Sequence, residues 1–181
     1  MIAFFKTLKT LLGYLVTLAD RYGPARFTSS SLTRIFNYLP IHDQLTTSGQ
    51  PTEKQFASIA AAGFETVINL APHGAENALH NEQQTVTDLG MNYLHIPVDF
   101  YHPSQRKFQR FVEAMQQAEH NKQKVWLHCA ANMRVSAFVY CYRCTVLKQD
   151  PLLAKKDLNQ VWKPIAVWQK FIAETLQQTA H

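Results

Sequence analysis

Val125-Trp-Leu-His-Cys-Ala-Ala-Asn-Met-Arg-Val-Ser-Ala137 is the stretch whose reading decides the fold. Lys124 to His128 is a short apolar run of strand character that leads straight into Cys129, and a helical pattern follows from about Asn132 to Lys148. A cysteine in that setting sits at the carboxyl edge of a sheet and at a helix N-terminus, where open α/β sheets bind their ligands. The helix end offers unpaired N–H groups and a positive partial charge, which favour a thiolate and attract an oxyanion. Ala130 and Ala131 are small enough for their amides to turn inward, and Asn132 tolerates a left-handed backbone. Met133 continues the loop, and Arg134 brings a planar fork that can hold two oxygens of a phosphate. Ser136 is placed to donate a hydrogen bond to the thiolate.

Outward from this stretch, strands and helices alternate with ordinary punctuation. A strand at about 43–48 ends in Ser48-Gly49-Gln50-Pro51, and Thr52 with Gln55 reads as a capping box for a helix running to Gly63. Glu65 to Leu70 is a β-branched strand, a helix ends at Gly90, and Tyr93 to Pro97 is the next strand. Ser104 opens an amphipathic helix to about His120. After Cys129 and its helix, Pro151 restarts a helical pattern that breaks again at Lys163-Pro164. The order βαβαβαβααα predicts an α/β domain with a central, mostly parallel sheet of about four to five strands and helices on both faces.

The 181 residues suit one folded domain, and average apolar and charged content excludes a disordered or disulfide-scaffold chain. Three cysteines between Cys129 and Cys144 form no spaced framework of bridges, which points to a reducing, cytoplasmic setting. Positive charge gathers at one end: residues 1–40 hold Lys6, Lys9, Arg21, Arg26 and Arg34 against Asp20 alone, and the remainder is nearly neutral. No basic run crosses that remainder, so nucleic acid is not an expected partner. Residues 1–40 read as an amphipathic, basic helical extension and 41–181 as the folded domain. Within 2–19, the polar positions Lys6, Thr10, Gly13 and Thr17 recur at helical spacing on an otherwise apolar surface. The ten uncharged residues from Thr10 to Ala19 are too few to span a bilayer, which takes about 20. Three readings stay open: an anchor on the inner membrane surface, a helix packed on its own domain or a partner, and a signal peptide with a poor cleavage site at 17–19. Gly23-Pro24 and the serine cluster suggest that residues 24–40 are a linker or a second small helix.

His128-Cys129 with a downstream arginine and serine resembles the phosphate-binding signature of the cysteine-based protein phosphatases, of dual-specificity type. More closely, Ser48-Gly-Gln-Pro51, Val67-Ile-Asn-Leu70, His95-Ile-Pro-Val-Asp-Phe100 and His128-Cys-Ala-Ala-Asn132 resemble the bacterial phosphatase-like family related to the domain of beta-lactamase hydrolase-like proteins. The resemblance covers residues 41–148 and implies a cysteine-phosphatase-like fold and phosphomonoesterase activity on a phosphorylated protein or small phosphomonoester. It implies no metal and no organic cofactor. It makes Cys129 the nucleophile, Ala130 to Arg134 the phosphate-binding loop, and His128 and Ser136 supporting residues. Asp99, 30 residues before Cys129, takes the place of the general acid that protonates the leaving oxygen. One departure stands out: four residues, not five, separate Cys129 from Arg134, so Val135 occupies the usual arginine slot and Asn132 the usual glycine slot. The shortened loop resembles that of rhodanese-type sulfurtransferases, which leaves a persulfide carrier, or an inactive phosphate-binding module, as alternatives. Cys141-Tyr-Arg-Cys144 lies inside a helix and reads as structural.

Overall fold

A computed structural model of the chain describes residue 10, residues 12–15 and residues 31–178. Five strands form one sheet: β1 (Leu39–His42), β2 (Leu45–Ser48), β3 (Thr66–Asn69), β4 (Asn92–His95) and β5 (Val125–His128). Their spatial order is β1-β2-β5-β3-β4, with β1 antiparallel to β2 and every other pair parallel. Between residues 53 and 177, six helices connect and cover them: α1 (Glu53–Ala61), α2 (Glu82–Asp88), α3 (Gln105–His120), α4 (Met133–Thr145), α5 (Pro151–Val161) and α6 (Ala166–Gln177).

Alternation along the strands divides the core into two layers, because successive side chains of a strand point to opposite faces. Val125 and Leu127 of β5 join Ile68 in the larger layer, under α3, α4, α5 and α6. Trp126 and Val67 face the other way and pack against Phe56 and Ile59 of α1, Val86 of α2, and Ile35 after the 3₁₀ turn Leu32–Arg34. Phe56 and Ile59 are fully buried, each contributing on the order of 2 kcal/mol against exposure. The helix starts are those expected: Thr52 and Gln55 form a reciprocal capping box, Ser104 caps α3, and Asp150 caps α5 with Pro151 in its first turn.

Several element ends differ from the sequence reading, such as the strand expected at Tyr93 to Pro97, which is Asn92–His95, and two of the differences bear on the site. The strand at 43–48 is the second half of a hairpin whose first half, β1, draws in Leu39 and Pro40 from the segment read as linker or small helix. Proline at an edge strand obscures it, since Pro is expected only where the ladder has a free side or a bulge, and the register does shift between Pro40 and His42. Helix α4 stops at Thr145, three residues short of Lys148, whose φ of 53° is left-handed. Residues 24–30 and most of 2–19 lie outside the described residues. Among the described residues, no helix is long and apolar enough to cross a membrane.

Candidate active site

In-register pairing aligns the last residues of four strands in one row at the carboxyl edge: Ser48, His128, Asn69 and His95. Central β5 therefore delivers Cys129, fully buried, to the middle of that edge, and the chain turns at once into α4. The turn is held from outside by its carbonyls. Ala130 O accepts from Gln50 N at 3.3 Å and from Asn77 Nδ2 at 2.9 Å, and Ala131 O accepts from Asn37 Nδ2 at 3.0 Å. A trans peptide points its N–H opposite to its C=O, so the amide of Ala131 points away from the braces on Ala130 O. Asn132 adopts φ 63°, and Asn37 is left-handed too, at 49°. The two asparagines interlock, Asn132 Nδ2 donating to Asn37 O at 2.8 Å and to Thr47 Oγ1 at 2.9 Å. Gly49 sits between Phe36 and Ala130 so tightly that an added Cβ would lie 2.9 Å from the Phe36 ring and 3.1 Å from Ala130 O. The glycine of Ser48-Gly-Gln-Pro51 is thus required by close approach.

Met133 is buried in the first turn of α4, and Arg134 follows it half-buried. Its guanidinium lies 5.2 Å from the Phe100 ring centroid, and its Nε is buried without a hydrogen-bond partner. No carboxylate among the described residues pairs with it. Cys129, with an unpaired guanidinium five residues on and a braced turn between them, is an arrangement suited to an oxyanion. Ser136 departs from expectation: its hydroxyl donates to Met133 O at 3.1 Å, an i−3 bond within its own helix, instead of turning to the thiol.

Behind the turn lies a buried carboxylate that the sequence reading passed over. Glu82, in the first turn of α2, accepts from Asn69 Nδ2 at 2.7 Å and Tyr93 Oη at 2.8 Å, and also from Gln50 Nε2. His128 Nε2 stands 3.1 Å from the same carboxylate, at ion-pair distance without the alignment of a hydrogen bond. Burial alone would raise the Glu82 carboxyl, but His128 beside it and the bonds from Gln50 and Tyr93 prevail and hold it at about 2. The same burial and the neighbouring Glu82 push the Tyr93 phenol upward. Gln50, Asn69 and His128 belong to three of the quoted motifs, and one carboxylate joins them. Only their membership of those motifs signalled a role; nothing in the sequence around Glu82 did.

Asp99 lies on the loop after β4 and is exposed. Its Oδ1 accepts from Tyr101 N at 2.7 Å and His102 N at 3.0 Å, and the bond from Tyr101 leads in holding the carboxyl below the usual range. Both bonds go to Oδ1, with His102 Nδ1 3.3 Å from the same atom, and Oδ2 has no hydrogen-bond partner among the described residues. The next residue, Phe100, ties this loop to the rest of the site: its carbonyl accepts from Trp168 Nε1 at 2.8 Å, and its ring packs against Trp162, Trp168 and Arg134. The structure so brings the Asp99 loop beside Arg134. Cys141 is buried and Cys144 half-buried, and burial raises both thiols, which suits the structural reading.

Fold and site together define a dual-specificity-like cysteine phosphatase domain, and the comparisons with known proteins agree. Residues 40–173 match the family described as DSP-PTPase phosphatase fused to NAD+ kinase, and the chain belongs to that family. A crystal structure of a DUF442 protein from Shewanella putrefaciens CN-32 is 33% identical, with a TM-score of 0.73, covering 83% of this chain and 97% of that one. Tk-PTP in its active form shares the fold, with a TM-score of 0.68 at 16% identity, over 78% of this chain and 97% of that one. The beta-lactamase hydrolase-like protein of Agrobacterium fabrum is 32% identical over 97 residues, 52% of this chain, and the chain spans only 22% of that relative.

Proposed function

We propose that the protein is a phosphomonoesterase working through a cysteinyl-phosphate intermediate. The observation that carries this reading is the placing of Cys129, on a braced turn at a helix N-terminus, ahead of an Arg134 guanidinium that has no ion-pair partner among the described residues. Sγ of Cys129 attacks phosphorus and the S–P bond forms as the P–O bond to the leaving group breaks. Arg134 and the amide of Ala131 hold the equatorial oxygens. Asp99 gives its Oδ2 proton to the leaving oxygen, then takes a proton from the water that breaks the S–P bond and frees inorganic phosphate. His128, held by Glu82, fixes the strand end from which Cys129 emerges.

Two effects oppose each other at Asp99. The bonds from Tyr101 and His102 favour its ionised form, whereas a bound phosphoryl dianion disfavours it by like-charge repulsion. A proton donor that starts below the ordinary range works best on the acid side of neutrality. Membership of the phosphatase family supports this reading over a persulfide carrier. The test is phosphate release from a small aryl phosphate by the reduced full-length chain beside Cys129→Ser. Release by the parent and none by the variant is expected; equal release from both, or none from the parent, overturns the proposal.

A further inference from the structure

The chain is helical at Thr10 and at residues 12–15, and this short stretch is seated the opposite way from an ordinary amphipathic helix. Thr10 is buried and its hydroxyl donates to Val161 O at 2.5 Å, while a Cβ on Gly13 would collide with the Phe36 ring. These two belong to the polar positions of the sequence pattern, and both face the domain. Leu12 and Leu15, on the other side, are 54% and 58% exposed.

The seat is the rim of the Cys129 site. Phe36 adjoins Asn37, which braces Ala131 and Asn132. Tyr14 donates to Glu76 at 3.5 Å, next to Asn77, which braces Ala130. Val161 adjoins Trp162, which packs on Phe100 beside Arg134. Two more exposed apolar side chains, Tyr101 and Ile165, stand on the segments next to Phe100 and Trp162. Four of the seven large exposed apolar residues among those described are therefore carried on segments that adjoin the braces and aromatic rings of the Cys129 site. Isolated leucines on a surface need no explanation, but an outward leucine face beside a site does.

We propose that this rim docks on the surface of an anionic phospholipid bilayer, so that Cys129 meets a phosphomonoester carried by the membrane. The second clause rests on the phosphatase reading; the first does not. Charge selects the occupant: the first 40 residues hold five Lys and Arg against one Asp, while the rest of the chain is close to neutral. A bilayer supplies anionic headgroups for those cations and acyl chains for the leucines, the pairing that interfacial helices use.

The full-length chain is floated with vesicles of phosphatidylcholine alone and with phosphatidylglycerol added, beside Leu12→Glu/Leu15→Glu and Cys129→Ser. The parent and Cys129→Ser are expected to float with the anionic vesicles. The leucine double variant is expected to bind at least about tenfold more weakly, with unchanged thermal unfolding and unchanged release of phosphate from a soluble aryl phosphate. A parent that floats with neither vesicle, or a double variant that floats like the parent, overturns the proposal. So does a parent that dimerises through these leucines without binding vesicles, which would make a second copy the occupant. Flotation reads no catalysis, so a failed phosphatase reading leaves this result intact.

Discussion

The turn at Cys129 and the loop at Asp99 stand side by side, yet they are built on different principles. Around Cys129, Asn37, Gln50 and Asn77 fix the carbonyls, Glu82 fixes His128, and Gly49 leaves no room for adjustment. Around Asp99, the carboxylate and both of its bonding partners are exposed, and the loop is anchored one residue away, through Phe100 to Trp168. An oxyanion holder gains from being preorganised, because its dipoles then need no rearrangement at the moment of reaction. A proton donor gains from a position that can shift as different leaving groups enter. Under the proposed function, the division would put phosphate recognition in the braced part and adaptation to the substrate in the exposed part.

The contrast can be broken at its firmest point first. Glu82→Gln removes an acceptor from the buried donors of Gln50, Asn69 and Tyr93 and is expected to cost about 1–3 kcal/mol of stability for each donor left unpaired, read by urea unfolding. It also changes the pH profile of stability. The Glu82 carboxyl sits at about 2 in the fold against an ordinary 4.5, so its contribution is complete above the ordinary value and is lost as pH falls toward 2. The variant should lack that acid limb. Arg134→Ala should lower kcat for an aryl phosphate by roughly a hundredfold to a thousandfold with unfolding unchanged, which would separate charge holding from bracing. Asp99→Asn is the smallest of the three, about a hundredfold in kcat. Stoichiometric phosphorylation of Cys129 by an activated aryl phosphate should persist in it, and its rate should lose the fall seen in the parent as Asp99 ionises with rising pH. Turnover equal to the parent would remove Asp99 from the reaction.

The sequence shows the rigid half of this contrast better than its cause. Strand β5, the cysteine at its end, the helix after it and the caps at Thr52 and Ser104 follow from periodicity and local hydrogen-bond chemistry, which act over a few residues. The braces do not. Asn37, Asn77 and Glu82 reach the turn across 94, 53 and 46 positions of chain, and each is an ordinary polar residue in its own neighbourhood. Ser136 misled for the same reason in reverse: its distance in sequence from Cys129 suggested a contact, while a helical serine has an acceptor closer to hand at Met133 O. The hairpin strand β1 was hidden because four residues including a proline carry too little pattern to separate strand from linker.

That hairpin also bears on how the protein behaves at high concentration. Without β1, strand β2 would present an unpaired ladder at the side of the sheet, and all four of its residues are buried. An open edge of that kind invites a strand from another molecule. β1 covers it, and β1 is itself a poor template, because Pro40 has no N–H to give and the ladder is interrupted between Pro40 and His42. Pro40 so acts against edge-to-edge aggregation, a protection unrelated to the chemistry at Cys129.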